Sequence, residues 1–98
     1  MNDYIFLMHN DMPEESDDND WASYLGNLRA SGHFNGGSAI GDGECCRRSG
    51  ASAQITAHLA GYILVKARNL DEAKTFLPGN PVFEKGGTVE IRELPRTS

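Results

Sequence analysis

A histidine and an aspartate lie two positions apart near the start of the chain, as His9 and Asp11. His9 closes an apolar stretch that predicts a strand, so its side chain stands at a strand end beside a carboxylate. A carboxylate that orients an imidazole can make it a general base near neutral pH. The pair is therefore a candidate for proton-transfer chemistry. The alternative is a partly exposed turn histidine beside a loop aspartate.

Two further histidines stand at the starts of predicted strands. His58 could lie near His9 across adjacent strands, depending on the register between them, which makes it a second candidate catalytic group; the alternative is an ordinary strand-entry residue. His33 follows Gly32 and is a candidate pocket residue. The three histidines are 24 and 25 residues apart, without a close ligand pair, so no metal site is predicted. The stretch "GGSAIGDG" matches neither phosphate-binding loop pattern, and no cofactor is predicted.

The two cysteines are adjacent, Cys45 and Cys46, and precede Arg47 and Arg48. Neighbouring residues of an extended chain point to opposite sides, so a bond between these two is not expected. Cationic neighbours can favour the thiolate, which keeps reactive thiols as an alternative. We interpret both as reduced thiols of a cytoplasmic protein.

Length and charge limit the classes of function. The 98 residues suit a single domain over 1–98, and no apolar run is long enough to span a bilayer. Seven acidic residues and no Lys or Arg fall within the first 20, and the net charge is −5. The chain lacks a basic stripe with interleaved aromatic residues. We therefore expect a cytoplasmic protein that binds neither nucleic acid nor membrane.

Hydrophobic periodicity predicts the element order β-α-β-β-α-β. The stretches "YIFLMH" (4–9) and "LAGYILVKA" (59–67) are apolar on both faces, which is typical of strands covered on both sides. Trp21, Leu25 and Leu28 form one stripe of a helix predicted over 19–31. Asp17 or Asp18 is the predicted cap of this helix. A strand is predicted to begin at His33 and to bend at Gly36–Gly37. Beyond it we predict a helix over 70–77 capped by Asn69, a further turn from Asn80 and a last strand over 88–94.

This order predicts an α+β, ferredoxin-like fold, a four-stranded antiparallel sheet with both helices on one face. The first and third strands then lie in the centre of the sheet. The helices leave the other face uncovered, and its apolar residues, such as Leu64, need a lid. A second copy of the chain is the simplest lid, so we expect a homodimer through the sheet face, a dimeric α+β barrel.

Two stretches resemble the YCII-related family of small dimeric α+β-barrel proteins. The run "GYILVKARNLDEAKTFLPGNPVFEKGGTVEIREL" resembles its strand, "LDEA" helix, "NP" turn and "GG-x-VE-x-R" ending. The run "WASYLGNLRASGHFNGG" is similar to its first helix and second strand. Relatives include dehydrochlorinases, and muconolactone-isomerase-like enzymes share the barrel. Trp21 occupies the position of the histidine that opens the family's first helix, and "SGASAQITAH" replaces the D-G-P-F signature of a related subgroup.

These observations lead to two hypotheses. In the first, the protein is a cofactor-independent enzyme that holds a small organic molecule between the sheet and the first helix. His9 would move a proton, Asp11 would orient it and His58 would assist, in an elimination or isomerisation. In the second, the protein is a non-catalytic homodimer that binds a metabolite or a protein. The candidate pocket-lining residues are Trp21, Tyr24, His33 and Ser38, with core packing as the alternative for Trp21.

Overall fold

The fold consists of one antiparallel sheet and three helices, in a computed structural model that describes residues 1–13, 15 and 17–96. The strands are β1 (Asn2–His9), β2 (Phe34–Ala39), β3 (Leu59–Ala67) and β4 (Val89–Leu94), in the spatial order β2-β3-β1-β4. The helices are α1 (Asp18–Ala30), α2 (Leu70–Lys74) and α3 (Pro81–Glu84). The ferredoxin-like fold with β1 and β3 in the centre is confirmed. No helix among the described residues is long and apolar enough to cross a membrane.

Alternate residues of β1 face the two sides of the sheet, because side chains alternate along a strand. Phe6 is fully buried on the side of the helices, opposite Ile63 of β3. The apolar stripe predicted for α1 packs against this side. The buried hydrophobic residues of this core are Tyr4, Phe6, Met8, Tyr24, Leu28, Ile63, Val65, Ala67, Ala73 and Val82.

The opposite side of the sheet is apolar at its centre, and no helix or strand of the described residues packs on it. Ile5 lies opposite Leu64, and Leu7 lies opposite Tyr62. All four side chains are half-buried. We call these four residues the open face. The predicted homodimer would cover them, and it stays a prediction.

Side-chain caps define where the helices begin. Asp17 Oδ1 accepts a hydrogen bond from the Asp20 backbone N–H at 2.9 Å, and Asn69 Oδ1 accepts one from Glu72 at 2.9 Å. Asn80 is fully buried and accepts from the backbone N–H of Val82 at 3.0 Å. The predicted caps are therefore confirmed. α2 ends at Lys74, earlier than predicted, and the chain continues in turns over 75–76.

The second strand differs from its prediction by one residue at its start. It begins at Phe34, although the backbone carbonyl of His33 still accepts a hydrogen bond from Lys66 at 2.8 Å. The register with β3 shifts between Phe34 and Gly37, which confirms the predicted bend. Gly36 has a φ of +111°, a conformation that favours glycine. Residues 40–58 then join β2 to β3 without a helix or strand.

Candidate active site

Backbone hydrogen bonds on both sides fix the end of β1. The His9 N–H donates to the carbonyl of Thr88 at 2.9 Å, on the β4 side. The next N–H, that of Asn10, donates to the carbonyl of His58 at 2.8 Å, on the β3 side. The β1–β3 register shifts between Met8 and His9. The backbone at the end of β1 is therefore hydrogen-bonded on both sides, and the His9 ring is held between the β3 and β4 sides.

His9 is hydrogen-bonded to Glu90 of β4. Its Nε2 lies 3.0 Å from Glu90 Oε1, with the His9 side chain 20% exposed and the Glu90 side chain 34% exposed. The second carboxylate oxygen of Glu90 accepts from the Arg92 guanidinium at 3.2 Å. The hydrogen bonds from His9 and then Arg92 lower the pKa of Glu90 below its usual value. Glu90 is thus an ionised acceptor near neutral pH, and the imidazole donates to it.

Asp11 bonds to Thr88, so the carboxylate that orients His9 is Glu90 and not, as the sequence suggested, Asp11. The Thr88 backbone N–H donates to Asp11 Oδ1 at 2.8 Å, and the Thr88 hydroxyl donates to Oδ2 at 2.6 Å. The hydroxyl is the largest cause of a lowered Asp11 pKa, and the electrostatic effect of His9 is a minor one. Asp11 therefore ties the loop after β1 to Thr88, the residue that precedes β4.

His58 lies beside His9, because the register of β1 and β3 pairs His9 with Leu59, the residue after His58. The ring centroids are 4.8 Å apart with an interplanar angle of 72°, an edge-to-face contact. His58 is exposed, whereas His9 is half-buried. The structure therefore brings together two imidazoles and one carboxylate. Their arrangement can accept, hold and return a proton.

His33 lies apart from this group. Its Nδ1 is 2.8 Å from the carbonyl of Lys66, and its ring packs on Phe76 with centroids 4.7 Å apart. Within the described ranges, no three His, Cys, Asp or Glu side chains are placed to hold a metal ion. The interactions of His33 are those of a residue that closes the start of an edge strand.

A cavity of about 380 Å³ lies between α1 and the sheet. Trp21 and Ser38, two of the predicted pocket residues, line it. Its apolar walls include Met8, Met12, Trp21, Leu25, Ile63 and Val82. His9 and His58 are not among its lining residues. The cleft that the sequence placed between sheet and helix exists, but the histidines lie outside it.

Tyr24 lines a different groove, of about 490 Å³, between α1 and the segment that carries α2 and α3. Its hydroxyl donates to the carbonyl of Phe76 at 2.7 Å. Burial is the main cause of its raised pKa. Tyr24 is thus a core residue with a satisfied hydroxyl, and it does not share a pocket with Trp21.

Glu90 is the site residue whose role the sequence did not reveal. The alternation of β4 places Glu90 and Arg92 on one face, a pattern that fits an interface or solvent-exposed ion pair and does not point to His9. The sequence signal that could have placed Glu90 near His9 was the predicted pairing of β4 with β1. This pairing puts Glu90 opposite Leu7, two residues from His9.

The chain belongs to the YCII-related domain family, whose model matches residues 4–97. A similar solved structure is that of 5-chloro-2-hydroxyhydroquinone dehydrochlorinase from Burkholderia phenoliruptrix AC1100, in complex with 2,5-dihydroxybenzoquinone. The two chains are 13% identical with a TM-score of 0.59, over 99% of this chain and 96% of the other. This likeness shows a shared fold. A search of curated proteins finds no significant match.

Proposed function

We propose that the protein is a cofactor-independent enzyme that moves a proton on a small organic molecule, with His9 as the general base. The observation that carries the proposal is the 3.0 Å contact between His9 Nε2 and Glu90 Oε1. Because the ionised carboxylate accepts from Nε2–H, the neutral ring presents the lone pair of Nδ1 to a substrate. A second imidazole beside it and a half-buried setting support acid–base chemistry.

The reaction begins when Nδ1 of His9 takes a proton from carbon, and Glu90 stabilises the imidazolium that forms. The electron pair of the broken C–H bond then has two courses. It can expel a leaving group from the adjacent carbon, which is an elimination. Alternatively it can shift through a conjugated system, and the proton returns at another carbon, which is an isomerisation. We assign to His58 the return or relay of that proton.

The dehydrochlorinase that shares this fold has a name that describes an elimination, the loss of hydrogen and chloride from one molecule. Such a reaction requires a base for the departing proton, the role proposed here for His9. At 13% identity the likeness supports the fold and not a substrate. The products of turnover therefore decide between elimination and isomerisation.

A homodimer through the open face belongs to the same proposal. The chain exposes 6798 Å², against about 5,500 Å² for a compact monomer of its mass. Its radius of gyration is 15.0 Å, against about 13 Å for a compact domain of this length. The exposed connection over 40–58 contributes to both differences. The apolar open face supports a homodimer in which a second copy of the chain covers it. Glu90 and Arg92 would then lie at the rim of the dimer interface.

The test uses solvent exchange, which detects proton transfer on any substrate that carries an acidic C–H bond. The protein is incubated in D₂O with a panel of such small molecules, including chlorinated hydroxyhydroquinones and unsaturated lactones. Deuterium uptake and chloride release are followed by NMR and ion chromatography. We expect exchange or conversion of at least one compound, reduced roughly 100-fold or more in His9→Gln, since a positioned acid–base group contributes about 10²–10⁴.

His33→Gln is the matched control, because it removes an imidazole that lies apart from Glu90. It should keep the wild-type rate. Equal rates in wild type and His9→Gln would refute the role of His9. A wild-type protein that binds members of the panel without exchanging any of them would favour the non-catalytic homodimer.

A further inference from the structure

The cavity between α1 and the sheet exists because its floor has almost no side chains. The residues of β2 and β3 that face α1 at this end are Gly37, Ala39 and Gly61. A Cβ on Gly37 would lie 2.5 Å from the carbonyl oxygen of Tyr62, and one on Gly61 would lie 3.0 Å from that of Ser38. Larger residues cannot replace these two glycines without moving a strand. The packing of β2 on β3 thus leaves an unfilled space beneath the helix.

The space is large enough for an organic ligand. A volume of 380 Å³ is within the range of about 300–1,000 Å³ that small-molecule sites occupy. Met8 and Val82 are buried at its walls, and Trp21 and Leu25 are half-buried there. Such walls attract an apolar or aromatic body.

Arg29 gives the cavity a positive charge. Among the described residues that line the cavity, it is the one charged residue, and none of them is a carboxylate. The Arg29 guanidinium lies 5.1 Å from the centroid of the Phe34 ring, a cation–π contact that holds it at the cavity. None of the ion pairs among the described residues includes Arg29, so its guanidinium can donate hydrogen bonds to an anion.

We propose that this cavity is a binding site for small monocarboxylates with an aromatic or apolar body. The body lies against Trp21 and Leu25, and the carboxylate lies on the guanidinium of Arg29. Because the His9 group does not line the cavity, the site goes beyond the proposed proton transfer and does not depend on it. A ligand of this class fits the apolar walls and the single charge together.

Trp21 is the only tryptophan of the chain, so its fluorescence reports directly on the cavity. The probes are phenylacetate and its neutral isostere phenylacetamide. We expect saturable changes with phenylacetate and weaker binding of the amide. Arg29→Gln should weaken phenylacetate binding roughly tenfold or more and leave the amide unchanged, since a hydrogen bond to a charged group contributes about 1.5–3 kcal/mol.

Two further variants separate charge from packing. Arg47→Gln removes an exposed arginine of the 40–58 connection, which donates to the carbonyl of Ala51, and should bind both probes as the wild type does. Ala39→Leu fills the cavity from its floor and should abolish binding of both probes. The proposal is overturned if the wild type shows no saturable change up to the solubility limit. It is also overturned if acid and amide bind equally, or if Arg29→Gln weakens both probes alike.

Discussion

Replacing Gly37 by alanine tests the strand contact that forms the cavity floor. The added Cβ would lie 2.5 Å from the carbonyl oxygen of Tyr62 and 3.1 Å from the Cα of Ile63, and both are backbone atoms. A flexible side chain could turn away from such a contact, but a paired strand must move as a unit. We therefore expect Gly37→Ala to separate β2 from β3 locally and to destabilise the protein.

The size of the effect follows from two opposing terms. Overpacking in a filled site costs about 1–3 kcal/mol. Restricting the unfolded chain by Gly→Ala offsets about 0.4–1 kcal/mol of this. The net loss is about 1–2 kcal/mol, which lowers the Tm by about 4–16 °C for a domain of this length.

Gly26→Ala is the matched control, because the same change at this position of α1 should stabilise. A Cβ there meets nothing within 4 Å, and alanine in a helix is favoured over glycine by about 0.5–1 kcal/mol. Both variants are melted at one protein concentration and followed by circular dichroism, since a dimer makes the Tm depend on concentration. A Gly37→Ala variant as stable as the wild type would refute the close approach of β2 to β3.

Two further predictions concern Glu90 and the open face. Because its folded pKa is lowered, Glu90 contributes stability above the pKa of an unfolded glutamate, about 4.3, and loses it as the pH falls through the lower folded value. His9→Ala should raise the Glu90 pKa toward the ordinary value in a ¹³C NMR titration of its carboxyl group, and an unchanged pKa would show that the pair does not form. Leu64→Asp should dissociate the dimer in sedimentation experiments, since burial of an unpaired charge costs several kcal/mol. Leu70→Asp is the control and should leave the dimer intact, because Leu70 of α2 is 44% exposed. A dimeric Leu64→Asp variant or a monomeric wild type would contradict the interface.

The central strands and the helix caps could be predicted because their signals are local. β1 and β3 carry apolar residues on both faces, and each cap is a side chain three positions or fewer from the N–H that it binds. The family resemblance rests on the same local runs. The adjacency of β1 and β3 could also be predicted, but the register that brings His58 beside His9 could not.

The partner of His9 could not be predicted, because it depends on the register between strands whose paired residues are 81 positions apart in sequence. Asp11 is close to His9 in sequence, but the turn after β1 directs its carboxylate to Thr88. A cleft between the sheet and the first helix was predicted, but its nearly side-chain-free floor was not, for a similar reason. That floor depends on the register after a bulge, which pairs Gly37 with Ile63 and Ala39 with Gly61 and which periodicity does not show.

The proposed proton transfer requires that Glu90 accepts a hydrogen bond from the Nε2–H of His9 and leaves Nδ1 free to act as a base. Long-range ¹H–¹⁵N NMR of the imidazole nitrogens tests it most directly, with spectra of wild type and Glu90→Gln recorded where the ring is neutral. Wild-type His9 should be held in the Nε2–H tautomer, and this preference should weaken in Glu90→Gln. A wild-type His9 with its proton on Nδ1, or spectra identical in the two proteins, would contradict it.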